Sequence, residues 1–148
     1  MDEAPTVGFL VWRLSMRWRT AVDQAVEPLG LTHAQYSVLS SLLGMERAGF
    51  RPSQRRLADH TGLDPVYVSK LASALERGGL ITRKPDPQDT RAVQLAITPI
   101  GRELAERAVG IVQDLLERLL APLGGTASKR TVSFRDDLQT LLNRGAAS

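Results

Sequence analysis

The sequence predicts a mainly α-helical fold with one small β-hairpin, and two observations carry this prediction. Apolar residues recur at three- and four-residue steps along most of the chain, which is the spacing of amphipathic helices. Only residues 80–84 and 93–97 alternate as short strands do, and the stretch 85–90 between them has the Pro and Asp content of a hairpin tip. With 148 residues, the chain has room for a single domain, which we expect over residues 1–148.

Four predicted helices precede the hairpin, at about 7–27, 32–46, 54–60 and 64–77. Thr32 has capping-box spacing to the glutamine three residues on, and Ser53 is a good N-cap. Asp64 caps the fourth helix and is followed by Pro65, which is well tolerated at a first helical position. A short helix, a turn containing Gly62 and a second helix form a helix-turn-helix, and the hairpin adds a wing to it.

Two further helices are predicted after the hairpin, at about 99–122 and 127–143. The apolar face of the longer one is expected to contain Ile100, Leu104, Ala108, Ile111, Leu115 and Leu119. That of the last helix contains Phe134, Leu138, Leu141 and Leu142. The first, fifth and sixth helices lie outside a winged core that can bury its own apolar residues, so their faces predict a homodimer interface. We therefore expect a winged helix-turn-helix lobe at about 31–98 and a helical dimerisation region at 7–28 and 99–143.

The positive charge is concentrated in the middle of the chain. The net charge is only +3, yet the segment from Arg47 to Arg91 contains nine basic and five acidic side chains, and the two flanks are close to neutral. A basic middle between near-neutral ends predicts that the middle meets a polyanion. A solvated charged face is the alternative explanation of the same excess.

Several classes of protein are excluded by what the sequence lacks. Zero cysteines exclude disulfides and thiolate zinc sites, and the two histidines, His33 and His60, fall on different predicted elements, so we expect no metal site. The sequence lacks the motifs of nucleotide-binding and hydrolytic enzymes, so we expect no catalytic activity and no cofactor. No apolar run approaches the roughly 18 residues of a membrane span, and the acidic N-terminus is unlike a secretory signal. We expect a cytoplasmic protein that binds no membrane.

Three stretches resemble the MarR family in sequence and in order: 29–36 at the second helix, 75–81 at the helix-to-wing junction and 89–98 in the wing. The third matches the family's D-x-R-x-x-x-L-x-L-T pattern, with Ile97 in place of one Leu. The resemblance covers about residues 7–143. It implies a dimeric transcription regulator of double-stranded DNA with a pseudo-palindromic operator, and most commonly a repressor that a small ligand releases.

The fourth helix supplies the residues expected to face the major groove. Burying Val68, Leu71 and Leu75 turns a set of its residues outward. This set is Pro65, Tyr67, Ser69, Lys70 and Ser73. Lys70 and Ser69 can meet either bases or phosphates, and Tyr67 can offer its ring to a thymine methyl or pack on the subunit surface.

Phosphate and minor-groove contacts are expected from two other places. Ser53, Gln54, Arg55 and Arg56 open the third helix, where an N-terminus and basic side chains can hold a phosphate. The wing carries Arg83, Lys84, Asp89 and Arg91. We expect Asp89 to hold the Arg91 side chain by a charge-assisted hydrogen bond and so to pre-shape a basic tip for the minor groove. A pair that merely stabilises the hairpin is the alternative.

The resemblance also implies a cleft for a small, often aromatic or anionic molecule between the dimerisation helices and the DNA-binding lobe. The matching positions are Trp12, Arg13, Met16, His33 and Tyr36. Simpler roles remain open: dimer packing for Trp12 and Met16, a surface charge for Arg13, an exposed first-turn residue for His33, and the core for Tyr36. Two other functions are compatible with the fold, namely a non-specific architectural DNA-binding protein and a protein-interaction adaptor.

Overall fold

In the computed structural model, which describes residues 3–146, the chain forms six α-helices and one two-stranded antiparallel sheet. The bounds are α1 Val7–Val26, α2 His33–Arg47, α3 Gln54–Thr61, α4 Pro65–Arg77, β1 Ile81–Pro85, β2 Val93–Ile97, α5 Pro99–Leu119 and α6 Lys129–Ala146. Short 3-10 turns, Glu27–Leu29 and Ala121–Leu123, follow α1 and α5. The predicted class, mainly helical with a β-wing, is confirmed.

The predicted caps define the helix starts. Thr32 and Gln35 form the reciprocal capping box at the start of α2. The Ser53 hydroxyl accepts the backbone N–H of Arg56, and the Asp64 carboxylate accepts those of Val66 and Tyr67. These bonds satisfy amide groups that a helix N-terminus otherwise leaves without partners.

By its internal contacts the chain divides into two compact units, up to Ile111 and from Val112 onward. The first contains the winged helix-turn-helix and a core to which α2, α3, α4 and both strands contribute. Its fully buried large side chains include Leu39, Leu43, Leu57, Leu75, Ile81 and Leu95. Strand β2 is also tied to the segment before α3, since the Leu95 amide donates to the Pro52 carbonyl at 3.0 Å. The wing is therefore anchored at its base to the helix-turn-helix.

Helix α1 has an apolar stripe along most of its length, but this stripe is buried only near the C-terminal end of the helix. Val22 and Val26 are buried in the core. Val7, Leu10, Val11 and Leu14 lie on the same stripe and are largely exposed. The N-terminal half of α1 thus presents an apolar surface that the first unit does not cover.

The inward face of α5 matches the predicted one only in part: Ala108 and Leu115 are buried as expected, but Ile100 is not. The buried residues are Gly101, Ala105, Ala108, Val112 and Leu115, whereas Ile100 is 67% exposed. Gly101 lies so close to the Leu80 carbonyl that a Cβ atom there would overlap it. Small residues let α5 approach the helix-to-wing junction, which leaves Ile100 exposed and Leu104 half-buried.

The second unit is held together by polar contacts around the turn that precedes α6. The Glu117 carboxylate accepts the backbone N–H and the hydroxyl of Thr126, which lowers the pKa of Glu117. The buried Thr131 hydroxyl donates to the Gly125 carbonyl. On α6, Phe134 is half-buried and Leu138, Leu141 and Leu142 are exposed. None of the helices in the described range has the length and apolar character that a membrane span requires.

Candidate nucleic-acid interface

The turn between α3 and α4 has the geometry that the helix-turn-helix needs. Gly62 adopts a left-handed conformation with φ 76°, and its amide donates to the Ala58 carbonyl at 2.9 Å. The Thr61 hydroxyl donates back to the Leu57 carbonyl. Because non-glycine residues rarely adopt this φ, Gly62 fixes the angle at which α4 leaves α3.

Helix α4 separates the predicted buried stripe from a mainly polar face, of which only part is exposed. Val68, Leu71, Ala72 and Leu75 are buried. Pro65, Tyr67 and Lys70 are exposed, while Ser69 and Ser73 are half-buried. The Ser73 hydroxyl donates to the Ser69 carbonyl at 3.0 Å, so its proton is committed to the helix backbone.

Val66, which is not among the residues predicted to face outward, is 65% exposed in the first turn of α4. Its amide is capped by Asp64 at 2.8 Å, so the backbone beneath the side chain is fixed. The signal was present in the sequence, because Val66 does not share the three- and four-residue spacing of the buried Val68, Leu71 and Leu75.

The start of α3 presents two cations beside the base of the wing. Arg55 and Arg56 are exposed, and the Arg56 guanidinium lies 4.3 Å from the centroid of the Phe50 ring. This cation–π contact orients Arg56 without neutralising it. Gln54 is half-buried, and its Oε1 atom is buried without a hydrogen-bond partner among the described residues. Ser53 bridges to Gln94 of β2, which places this helix start next to the wing.

The tip of the wing is held by backbone hydrogen bonds. The Asp89 carboxylate accepts the backbone N–H of Arg91 at 3.0 Å, and the Asp86 amide donates to the Ala92 carbonyl. The predicted charge-assisted hydrogen bond between Asp89 and the Arg91 guanidinium is wrong. The short aspartate side chain instead binds the backbone N–H of Arg91, which lies closer to it. Asp89 therefore shapes the turn and leaves the exposed Arg91 side chain available.

Arg83 and Lys84 are adjacent in β1 but have different surroundings, because neighbouring side chains of a strand point to opposite faces. The Arg83 guanidinium bonds to Glu76 of α4 through Nε at 3.3 Å and Nη2 at 3.1 Å, and its backbone N–H donates to the same carboxylate. Lys84 is exposed. Arg83 thus braces the wing against α4, and Lys84 is the more accessible cation.

Taken together, the exposed cations of this surface are Arg55, Arg56, Lys70, Lys84 and Arg91. None of the ion pairs formed within the described part of the chain involves them. Such a surface, carried by a rigid helix pair and an anchored hairpin, can bind the phosphates and groove edges of a nucleic acid. We call these five residues the cationic surface.

The predicted ligand residues lie on α1 and on the first turns of α2. Trp12 and Met16 share a stripe of α1 with Asp23, whose Oδ1 accepts the backbone N–H of His33 at 2.6 Å. Tyr36 follows one turn beyond His33 on α2. Arg13 is exposed and lies off this stripe. Trp12 is 59% exposed and Met16 is half-buried, and the contact of this side of α1 with α2 is made by Asp23.

Burial affects the chemistry of both α2 residues. His33 and Tyr36 are half-buried. Burial lowers the pKa of His33 from 6.5, and it outweighs the opposing charge of Asp23. Burial also raises the pKa of Tyr36 above 10.0. Burial thus favours the neutral form of His33, and Tyr36 keeps its hydroxyl proton near neutral pH.

Comparison with known proteins is consistent with this geometry. Residues 29–92 match the model of the MarR family. A B. subtilis protein named as an HTH-type transcriptional regulator, YdcH, is 33% identical over 91% of this chain and 88% of its own length. A second relative, the M. tuberculosis HTH-type transcriptional repressor Rv2887, is 32% identical over 82% of this chain and 84% of its own length. The chain belongs to the MarR family.

Two solved MarR-like structures share the whole fold. S. aureus MepR in complex with DNA has a TM-score of 0.81 at 26% identity, over 95% of this chain and 99% of that chain. CouR from Rhodococcus jostii RHA1, bound to p-coumaroyl-CoA, has a TM-score of 0.80 at 29% identity, over 95% of both chains. The MarR-family chain described here is accordingly a transcriptional regulator with a DNA-binding fold, and its family members are regulators and not enzymes. Within residues 3–146, no group of three or more His, Asp or Glu side chains could hold a metal ion.

Proposed function

We propose that this MarR-family protein is a cytoplasmic, sequence-specific repressor that binds a pseudo-palindromic operator as a homodimer and is released by a small aromatic or anionic ligand. One observation carries the DNA-binding part: the exposed face of α4 is polar and cationic, and the cationic surface surrounds it. Solvent alone does not require such a concentration of cations around one rigid helix.

In the proposed complex, residues 64–77 of each protomer enter a major groove. Pro65, Tyr67, Ser69, Lys70 and Ser73 face its floor. The start of α3, with Ser53, Gln54, Arg55 and Arg56, holds backbone phosphate. The wing brings Lys84, Asp89 and Arg91 to the flanking minor groove, with Arg83 bracing its base. MepR, a neighbour of this fold, is known in complex with DNA.

The homodimer is supported by the exposed apolar residues of α1 and α6, which the units containing them leave uncovered. Two such subunits place two copies of α4 on one operator, so the half-sites should repeat about one helical turn apart. The chain then acts as one functional domain, with a DNA-binding lobe at about 31–98 and dimerisation helices at 7–28 and 99–143.

The ligand proposal is supported by Trp12 and Met16, which share a side of α1 with Asp23, the residue that bonds to the His33 amide at the start of α2. Aromatic and thioether side chains suit an aromatic ring, and Arg13 suits an anionic group. The CouR structure, which shares this fold, contains p-coumaroyl-CoA, a ligand that is both aromatic and anionic. Such a ligand releases DNA only if it favours a conformation that the operator does not.

Selection of bound duplexes from a random pool, at physiological salt and with the full chain, tests the proposal. We expect an inverted repeat whose half-sites are centred about one turn apart. Enrichment of no motif despite binding would replace the proposal with the architectural function. An absence of binding at every sequence would favour the adaptor.

Three substitutions separate sequence-independent contacts from base contacts in this complex. Arg91→Ala should weaken binding to all sequences and lower the salt dependence by about one unit of slope per protomer. Lys70→Ala and Ser69→Ala should instead change which bases are preferred at one position. Affinity measured on the operator and on shuffled duplexes at several salt concentrations distinguishes the two patterns, and equal loss on all sequences for all three variants would contradict base recognition by α4.

A further inference from the structure

The exposed valine in the first turn of α4 is not explained by the packing of the protomer. Val66 is 65% exposed, more than Tyr67 on the same turn at 46%. Tyr67 ends in a hydroxyl that water can solvate, whereas Val66 offers water only methyl groups. A residue of this kind at the tip of a polar helix points to an apolar group on whatever the helix contacts.

The side chain of Val66 is pre-organised. Asp64 accepts the amides of Val66 and Tyr67 at 2.8 and 3.2 Å, which fixes the first turn of α4. Valine is branched at Cβ and strongly prefers one rotamer within a helix. The two methyl groups are therefore held in one position, and little side-chain entropy is lost when they meet a partner.

The surroundings of Val66 favour DNA over an apolar protein surface as that partner. Lys70 lies one helical turn further on the same side of α4 and is exposed. The other members of the cationic surface lie on α3 and on the wing, next to α4. An apolar protein surface offers no anionic groups to these cations, whereas the phosphates that border a DNA groove bind them.

The floor of the major groove presents one kind of methyl group, the C5-methyl of thymine. We propose that Val66 is a specificity-determining residue that packs its methyl groups against the C5-methyl of a thymine in each half-site. This inference rests on the proposed function, since it needs a sequence-specific complex with α4 in the major groove. It adds the chemical group that α4 recognises and the residue that recognises it.

Replacement of thymine by deoxyuridine tests the inference, because it removes the methyl group and keeps every hydrogen-bonding group of the base pair. Each thymine of the selected operator is replaced in turn, and affinity is measured for the wild type, Val66→Ala and Val66→Thr. Burial of one methyl group corresponds to about a fourfold change in affinity. We expect about fourfold weaker binding by the wild type at one position per half-site, and about fifteenfold when both half-sites are changed.

The variants should respond to the same replacement in different ways. Val66→Ala should bind the thymine operator more weakly and lose sensitivity to deoxyuridine at that position. Val66→Thr keeps one methyl group and should retain part of the sensitivity. Val93→Ala is the matched control, since Val93 is an exposed valine of the wing at 37%, and it should keep the full wild-type response.

The outcomes separate this inference from the proposed function. A wild type that selects an operator but tolerates deoxyuridine at every position would overturn the role of Val66 and leave the proposed function standing. Equal sensitivity in the wild type and in Val66→Ala would assign the methyl contact to another residue and overturn the inference as well. Failure to select any operator would overturn the proposed function itself.

Discussion

Helices α1 and α4 are both amphipathic, but α4 buries its apolar stripe and α1 leaves most of its own exposed. Helix α4 buries Val68, Leu71, Ala72 and Leu75 in the core of its own unit and exposes a polar, cationic face. Helix α1 buries only Val22 and Val26 and exposes the apolar residues of its N-terminal half. The exposed face of each helix indicates its partner: a polyanion for α4 and an apolar surface for α1.

This contrast separates what the protomer can stabilise alone from what needs a partner. The winged core satisfies itself, so its helices and strands should form in a single protomer. The N-terminal half of α1 gains little from the core and should depend on a second copy.

The same substitution should have different consequences on the two helices. Leu75→Ala removes a side chain that is 2% exposed and should lower the free energy of unfolding by about 2–5 kcal/mol at every protein concentration. Leu10→Ala removes one that is 50% exposed, so its cost should depend on protein concentration, as a dimer requires. Thermal unfolding at low and high concentration measures both, and a concentration-independent loss for Leu10→Ala would contradict the dimer role of α1.

Charges placed on the apolar stripe of α1 should prevent dimerisation without unfolding the winged core. The double variant Leu10→Asp and Leu14→Asp buries two unpaired carboxylates in any apolar interface, which should weaken association at least a hundredfold. Thr20→Asp with Gln24→Asp adds the same charge to exposed polar positions of α1 and is the matched control. Sedimentation velocity gives the mass, and circular dichroism checks that the helices remain.

The ion pair that joins α2 to α5 should make stability depend on pH in the acid range. Arg102 donates to Glu46 through Nε at 2.9 Å and Nη2 at 2.6 Å, which lowers the pKa of Glu46. A carboxylate whose pKa is lowered by folding contributes stability above its unfolded pKa and loses it as the pH falls through the folded pKa. Glu46→Gln should therefore be less stable than the wild type near neutral pH, and the difference should shrink in acid. A constant difference would contradict the assignment.

A weaker pH effect is expected from His33. Burial lowers its pKa below 6.5, assisted by Arg19 and opposed by Asp23, so the unfolded chain takes up the proton first as the pH falls. Stability should decline as the pH falls from about 6.5 toward the folded pKa, and His33→Gln should flatten that decline. Denaturant titrations between neutral and mildly acidic pH measure the slope, and identical slopes in both proteins would remove His33 as its source.

The sequence was sufficient for the elements of the fold because their signals are local. The capping box at Thr32, the cap at Asp64 and the left-handed Gly62 each depend on a few neighbouring residues, and all three appear in the structure. The face of α5 depends on a contact distant in sequence, between Gly101 and Leu80, which periodicity does not contain. Apolar periodicity therefore places Ile100 on the buried face, whereas the small residues Gly101 and Ala105 are the ones that pack inward.

The candidate site was predictable by residue type but less so by contact. The outward-facing set on α4 follows from helical spacing, yet the predicted set omits Val66, whose exposure agrees with the same spacing. The sequence also did not indicate the partners of two wing side chains. Arg83 pairs with Glu76, and Asp89 accepts the Arg91 amide. Which of several nearby groups a side chain meets depends on angles that the sequence does not specify.

We propose that the apolar face of α1 and the cationic surface around α4 act together, so that two joined protomers bind one operator. The most direct test is the mass of the complex formed on a single fluorescent copy of the selected operator, by sedimentation velocity. We predict two protomers for the wild type and for the Thr20→Asp and Gln24→Asp control, with loss of the complex for Leu10→Asp and Leu14→Asp. Equally tight binding of one protomer of that double variant would contradict the claim.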